Sequence, residues 1–234
     1  MSKSIDMNAD LGEGFPNDAR LLDLVTSAGV SCGAHAGDRR TILATLSAAK
    51  VRGVAVGAHP GYPDRDRFGR AEQAATAEDV ERLIVEQVEA LRVLAGEAGV
   101  RLRFVKPHGA LYNQSQREEA HARGVVAAAG RLGLPVLGQP GSRLSRLAGD
   151  AKVRFVAEGF PDRRYTLDGR LVPRDRPDAL LHEPAEVEAQ VVRFVNEGIA
   201  TLCIHGDDPR AVANAEKVRA VLVRQGIAPR FWAE

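Results

Sequence analysis

Eight residues suited to acid–base, metal-binding or anion-binding chemistry fall in short distinctive blocks. They are Asp10 and Glu13 in NADLGEG, His35 in SCGAHAGD, His59 in VGAHPGYPD, Lys106 and His108 in VKPHGALY, Glu158 in FVAEG and His205 in CIHGDDP. An aspartate with two or three histidines is the donor set of a divalent ion such as Zn, Mn or Mg, and Asp10, His59 and His108 are the candidate ligands here. The same groups also suit metal-free chemistry, with a carboxylate as general base and His or Lys as acid or oxyanion partner. No His-x-His or His-x-x-x-His spacing fixes two ligands on one element, so either chemistry needs distant segments to converge. A lone histidine is usually structural. A set of eight gathered at one place is different, because burying an unpaired charge costs several kcal/mol, and each group must then find a partner, a ligand or a metal.

The elements that would gather them are legible as periodicity. Seven short apolar runs, SIDMNADL, GVSCG, GVAVGAH, RLRFVKPH, LPVLGQP, KVRFVAEG and ATLCIHG, are each followed by a segment with apolar residues three and four apart, such as ARLLDLVTSA, RRTILATLSAAKVRG and TAEDVERLIVEQVEALRVLAGEAG. Strand then helix, repeated seven times, predicts an α/β fold with a parallel sheet closed into a (β/α)7-type barrel, with an open doubly wound sheet as the alternative. In the first run, alternation puts Ile5, Met7, Ala9 and Leu11 on the helix-facing side and Asp6, Asn8 and Asp10 on a polar barrel interior. Asp10 and Glu13, His35, His59, Lys106 and His108, Gln139, Glu158 and His205 then stand at the carboxyl ends of successive strands, where parallel α/β folds build their sites. The 234 residues are expected to form one domain, with the irregular stretch 160–184 as an excursion over the barrel mouth.

Composition narrows the function. Lys and Arg number 32 against 31 Asp and Glu, without a long run of like charge, which speaks against a nucleic-acid or membrane surface. The N-terminus lacks the apolar core of a secretory signal, so a cytoplasmic protein is expected, with Cys32 and Cys203 as buried reduced thiols. The glycine-rich turns match neither the P-loop nor the dinucleotide fingerprint, and there is no nucleophile elbow. Arg70 in PDRDRFGR, and Arg163 and Arg174 in PDRRYTLDGRLVPR, are forks suited to an anionic group.

The blocks NADLGEG, CGAHAGD, GAHPGYPDRDRFGR, VKPHGALYNQ, FPDRRYTLDGRLVPR and CIHGDDP, in this order from about residue 6 to residue 226, resemble the LamB/YcsF family. The resemblance implies a barrel akin to the glycoside hydrolase/deacetylase superfamily. It also implies a role in opening the lactam of 5-oxo-L-proline to L-glutamate, with ATP as cosubstrate and B and C partner subunits. Carried onto this sequence, it places His35, Asp38, Arg70, Tyr112, Asn113, Glu158, Arg163, Arg174, His205 and Asp207 around the substrate. On that reading Asp10 or Glu13 is the base, His59 and His108 stabilise developing charge, and Lys106 holds the substrate carboxylate. Ala34, Gly61-Tyr62 and Pro161 depart from the family wording without touching the polar set. The alternatives are a stand-alone divalent-metal deacetylase or amidase, and a non-catalytic carrier of a small acid. ATP binding by this chain and a homo-oligomeric state are further expectations.

Overall fold

A computed structural model describes residues 3–167, 169–172, 176–181 and 183–233. The chain runs β1 (Ser4–Leu11), α1 (Asp18–Leu22), β2 (Ser27–Ser31), α2 (Arg39–Arg52), β3 (Ala55–His59), α3 (Ala77–Ala98), β4 (Leu102–Val105), α4 (Gly109–Arg117), α5 (Glu119–Leu132), β5 (Val136–Gly138), α6 (Arg143–Asp150), β6 (Phe155–Gly159), α7 (Pro184–Asn196), β7 (Thr201–His205), α8 (Ala211–Arg224) and β8 (Ala228–Pro229). Strands β1 to β7 pair in chain order, all parallel, and β1 pairs with both β2 and β7, which closes a seven-stranded barrel. The short β8 adds to the start of β1, at Ser4 and Ile5.

Strand alternation sets the two surfaces of the barrel. Met7, Ala9 and Leu11 join the large apolar core under the helices, while Asp6, Asn8 and Asp10 are buried on the opposite face. Inside, the amino-terminal end is held by polar and apolar halves. Asp6 accepts hydrogen bonds from Thr26 Oγ1 at 2.5 Å, Ser27 Oγ at 2.8 Å and Thr201 Oγ1 at 2.5 Å. Phe104, Leu137 and Val156 pack with Phe231 near the chain end to form a separate apolar cluster.

Helix boundaries follow their caps. The Thr76 side chain accepts from Asp79 N while Asp79 reaches back to Thr76 N, a reciprocal cap that starts α3, and Asp38 and Ser142 cap α2 and α6 through their side chains. The pattern ARLLDLVTSA extends too far as a helix. Helix α1 stops at Leu22, and Ser27 already lies in β2, where Ser27, Ala28, Gly29, Val30 and Ser31 pair with Ala55 to His59. The apolar spacing there is that of a strand buried on both sides, which short windows cannot separate from a helix. Helix α4 is an additional element, inserted between β4 and α5. The stretch after β6 is held by antiparallel bridges Arg163 to Leu180 and Tyr165 to Leu171, and by Gln190 Nε2 donating to three backbone carbonyls, Phe160, Pro161 and Arg163. Among the described residues, no helix is long and apolar enough to cross a membrane.

Candidate active site

Register brings the strand ends level. Asp10 on β1 pairs with His205 on β7 and with Gly29 on β2, and Ser31 at the end of β2 pairs with His59 on β3. Gly29 leaves room beside the Asp10 carboxylate, since a Cβ there would stand 3.3 Å from Oδ1. Lys106, just beyond β4, reaches across the barrel to Asp10 Oδ1 at 2.8 Å and Glu158 Oε1 at 2.9 Å. It also donates to Asn8 Oδ1 at 3.0 Å, and its Nζ lies 2.9 Å from Cys203 Sγ. Two of these atoms accept hydrogen bonds and two are carboxylate oxygens at ion-pair distance, so the ammonium is surrounded by the barrel's own groups.

Next to Asp10 lies a second group. Glu13, His35, His59 and His108, all buried, present donor atoms within 4.8 Å of one another. Glu13 Oε1 is 3.2 Å from His35 Nε2, 3.5 Å from His108 Nδ1 and 3.8 Å from His59 Nε2. The tautomers follow from the outer partners. His59 Nδ1 lies 2.7 Å from the Lys106 carbonyl and His108 Nε2 lies 2.8 Å from the Phe68 carbonyl, and a nitrogen facing a carbonyl must carry the hydrogen. In the neutral rings the remaining nitrogens, His59 Nε2 and His108 Nδ1, therefore point lone pairs at each other across 2.9 Å. Such a contact is repulsive unless a proton or a cation is shared, and this is the observation that makes the group fit a divalent ion. Outer-partner orientation of this kind is what metal-binding histidines ordinarily have.

The electrostatics agree with that assignment. Burial first, and then the positive charge of neighbouring histidines and of Lys106, depresses the rings: His59 is lowered to about 4 and His35 to about 3, and His108 falls well below its usual range. These shifts favour the neutral form of all three rings, the form that can ligate a cation. Burial, then the charge of Asp10, raises Glu13 well above the usual carboxylate range. Asp10 behaves oppositely. Burial opposes its ionisation, but His59, Lys106 and His205 together outweigh burial and lower its pKa. Asp10 Oδ2 lies 3.5 Å from His59 Nε2, so the ionised aspartate abuts the histidine group without belonging to the tightest cluster.

A family model for the LamB/YcsF family matches residues 5–233. The chain belongs to the LamB/YcsF family. Among its relatives, the A subunit of 5-oxoprolinase from Paracidovorax citrulli is 46% identical over 251 residues, covering 98% of this chain and 99% of the relative. The crystal structure of a lactam utilization protein from Thermus thermophilus superposes with a TM-score of 0.89 at 37% identity, covering 97% of this chain and 99% of that one. Peptidoglycan deacetylase PdaC from Bacillus subtilis, at 15% identity and a TM-score of 0.53, with 98% and 88% of the two chains covered, shares the fold alone.

In this LamB/YcsF chain the inner groups open into a cavity of about 1200 Å³ at the barrel mouth. Asp10, Glu13, Lys106 and His108 form its floor, and Arg70, Tyr112, Asn113, Arg163, His205 and Asp207 line it farther out. Arg70 pairs with Asp207 and stacks its guanidinium 4.8 Å over the Phe68 ring. His205 stacks on Phe160 with ring centroids 5.3 Å apart. Arg163 is buried, and its Nη2 donates to the Val172 carbonyl at 2.7 Å, an anchor for the excursion as well as part of the wall. Burial, then Glu158, raises Tyr112 well above its usual range, so it is a neutral phenol. Glu158 lies beneath the floor as a partner of Lys106, and His35 stands behind Glu13. Asp38 is exposed and caps α2 through Thr41 N at 2.8 Å, away from the cavity lining. Arg174 lies outside the described residues.

Two contributors are not marked as site residues by the sequence blocks. Cys203 is expected there only as a buried thiol, but alternation along TLCIH puts Thr201, Cys203 and His205 on one inward face, a signal present in the run itself. The Phe68 carbonyl that orients His108 depends on a left-handed backbone at Phe68, with φ 56°, at the end of the Asp64–Phe68 turn. No side-chain chemistry marks such a group. Gly206 is a further constraint, because a Cβ there would lie 2.3 Å from the Asp10 carbonyl oxygen. Backbone atoms cannot yield as a flexible side chain does, so Gly206→Ala is expected to cost about 1–3 kcal/mol and to displace Asp10, read as a lower melting temperature together with reduced activity.

Proposed function

We propose that this chain supplies the ring-opening site of an ATP-dependent 5-oxoprolinase, converting the lactam of 5-oxo-L-proline to L-glutamate in a complex with B and C partner subunits. The observation that carries the reading is Asp10 set between the Lys106 ammonium and His59 at the floor of a cavity open to the mouth. The names of the family relatives support the substrate class. A lactam amide is a weak electrophile, and phosphorylation of its oxygen would create a leaving group, which is the use we assign to ATP. With no kinase-like motif in this chain, the partners would prepare that species.

In this reading Asp10 takes the proton of the attacking water, with Glu13 the next candidate as base. His59 and His108 have their N–H groups tied to the Lys106 and Phe68 carbonyls, so they offer lone pairs at the floor, suited to accepting a proton or holding a cation. Lys106 is buried and ringed by Asp10, Glu158, Asn8 and Cys203, so its role is to hold Asp10 ionised and aimed at the cavity. Arg70 on the wall takes the carboxylate instead. Arg70→Lys is expected to raise KM about tenfold with an unchanged melting temperature, because lysine keeps the charge but loses the planar fork.

A divalent ion, for which Glu13, His35, His59 and His108 are the fitting ligands, would supply Lewis acidity at the same floor. The cluster favours a second reading, a stand-alone metal-dependent amidase or deacetylase. The deciding experiment is 5-oxoproline-dependent ATP hydrolysis and glutamate release, measured with this chain added to or withheld from its partner subunits, beside N-acetyl substrates offered to the chain alone. Glutamate formed at an equal rate without the chain would remove the catalytic assignment.

Metal binding has its own pH signature. Since burial raises Glu13 well above the usual range and lowers the three histidines, an ion entering at a pH below the raised pKa of Glu13 and above those of the histidines displaces one proton, that of Glu13. Affinity is expected to rise about tenfold per pH unit while Glu13 remains protonated in the free chain. Calorimetry of Zn²⁺ binding in buffers of different ionisation enthalpy should give about one proton released per ion.

A further inference from the structure

Asp10, Cys203 and His205 form a second donor group, again with atoms within 4.8 Å of one another, beside the Glu13 cluster. Two adjoining donor sets that meet at a carboxylate have the composition of a two-ion centre. Asp10 faces both ways, with Oδ2 at 3.5 Å from His59 Nε2 and Oδ1 at 2.8 Å from Lys106 Nζ. Two of the second group's three donors already touch a cation. Lys106 Nζ touches Asp10 and Cys203 of that group, together with Glu158 Oε1 and Asn8 Oδ1, all at 2.8–3.0 Å. This is an ion-like shell of two carboxylates, an amide oxygen and a sulfur. The lysine cannot easily withdraw, because its backbone is pinned on both sides: Lys106 N donates to the Ala58 carbonyl at 2.9 Å, and its carbonyl lies 2.7 Å from His59 Nδ1.

We infer that the Lys106 ammonium is the built-in occupant of a second cation position, so that Asp10, Cys203 and His205 take no exchangeable ion while the lysine is present. This deepens the metal reading given above and rests on the same site. The consequence is a one-ion floor whose bridging aspartate is held ionised by a cation that cannot diffuse away. An entering divalent ion at Asp10 and Cys203 would have to share those two ligands with a positive charge in direct contact with both.

The test is Lys106→Ala, which removes the ammonium and opens the space among its acceptors. Co²⁺ is the probe, being soft enough for a thiolate and coloured when bound by one. Bound Co²⁺ per chain is counted after equilibrium dialysis for wild type, Lys106→Ala, and Lys106→Ala with His205→Ala. The single variant is expected to bind one ion more than wild type, with a thiolate-to-cobalt absorption that wild type lacks and a melting temperature raised by Co²⁺ beyond any rise in wild type. The added His205→Ala is expected to return the count to that of wild type. An equal count in wild type and the single variant overturns the inference, as does an extra ion that survives His205→Ala. A Lys106→Ala chain that stays unfolded at every Co²⁺ concentration also overturns it, since the ion should replace the ammonium. The wild-type count by itself reports on the Glu13 cluster. A value of zero removes the metal reading there, while the difference between the chains still decides this one.

Discussion

Asp10→Asn is expected to lower turnover of the assembled enzyme by about a hundredfold or more, because asparagine keeps the shape and one acceptor oxygen but loses the basic one. The structure sharpens the contrast with the aspartate four residues earlier. Asp10 lies at the cavity floor, in reach of His59, whereas Asp6 is closed off by Thr26, Ser27 and Thr201 at the far end of the strand. Burial raises Asp6 to about 6, although its three hydroxyl donors work the other way. Asp6→Asn should therefore leave turnover within a few-fold of wild type and change stability by about 1–2 kcal/mol. The measurement is 5-oxoproline-dependent ATP hydrolysis with partner subunits, beside thermal unfolding of each variant. Near-normal turnover in Asp10→Asn would transfer the base role to Glu13.

The largest expected effect on stability belongs to Lys106→Met. Methionine fits the volume, yet it leaves Asp10 and Glu158 buried without their shared cation and Asn8 without its donor. Breaking one side of a buried ion pair costs about 3–5 kcal/mol, which in a chain of this length lowers the melting temperature by about 10 °C. Neutralising one of the stranded carboxylates should recover part of that loss. Lys106→Met combined with Glu158→Gln is therefore expected to melt above Lys106→Met alone, and a double variant no more stable than the single one would mean that the network is not held by charge. Calorimetric unfolding of the two variants at pH 7 gives the comparison.

Periodicity along the chain is enough to predict parallel strands alternating with helices and a polar face on β1, whereas the strand order and the closure that turns this face inward come from the pairing of β1 with both β2 and β7. The predicted features follow from two local rules, the two-residue repeat of a strand and the need of apolar faces to be covered. Residue types at the strand ends likewise mark Asp10, Glu13, His59, Lys106 and His108 as one rim. What the sequence does not contain is the division of labour within that rim. Whether Lys106 faces the substrate or the barrel axis depends on acceptors from β1, β6 and β7, which lie up to 98 residues away in the chain. Whether a histidine offers a lone pair or a hydrogen depends on backbone carbonyls, those of Lys106 and Phe68, which carry no side-chain signature. Asp38 resembles a site residue for a similar reason, since an aspartate after a glycine reads alike as a ligand or as a helix cap until the helix is in place. Strand and helix are decided by neighbours in sequence. Protonation, tautomer and ligand set are decided by neighbours in space, because each is the sum of desolvation and a few short contacts that only barrel closure brings together.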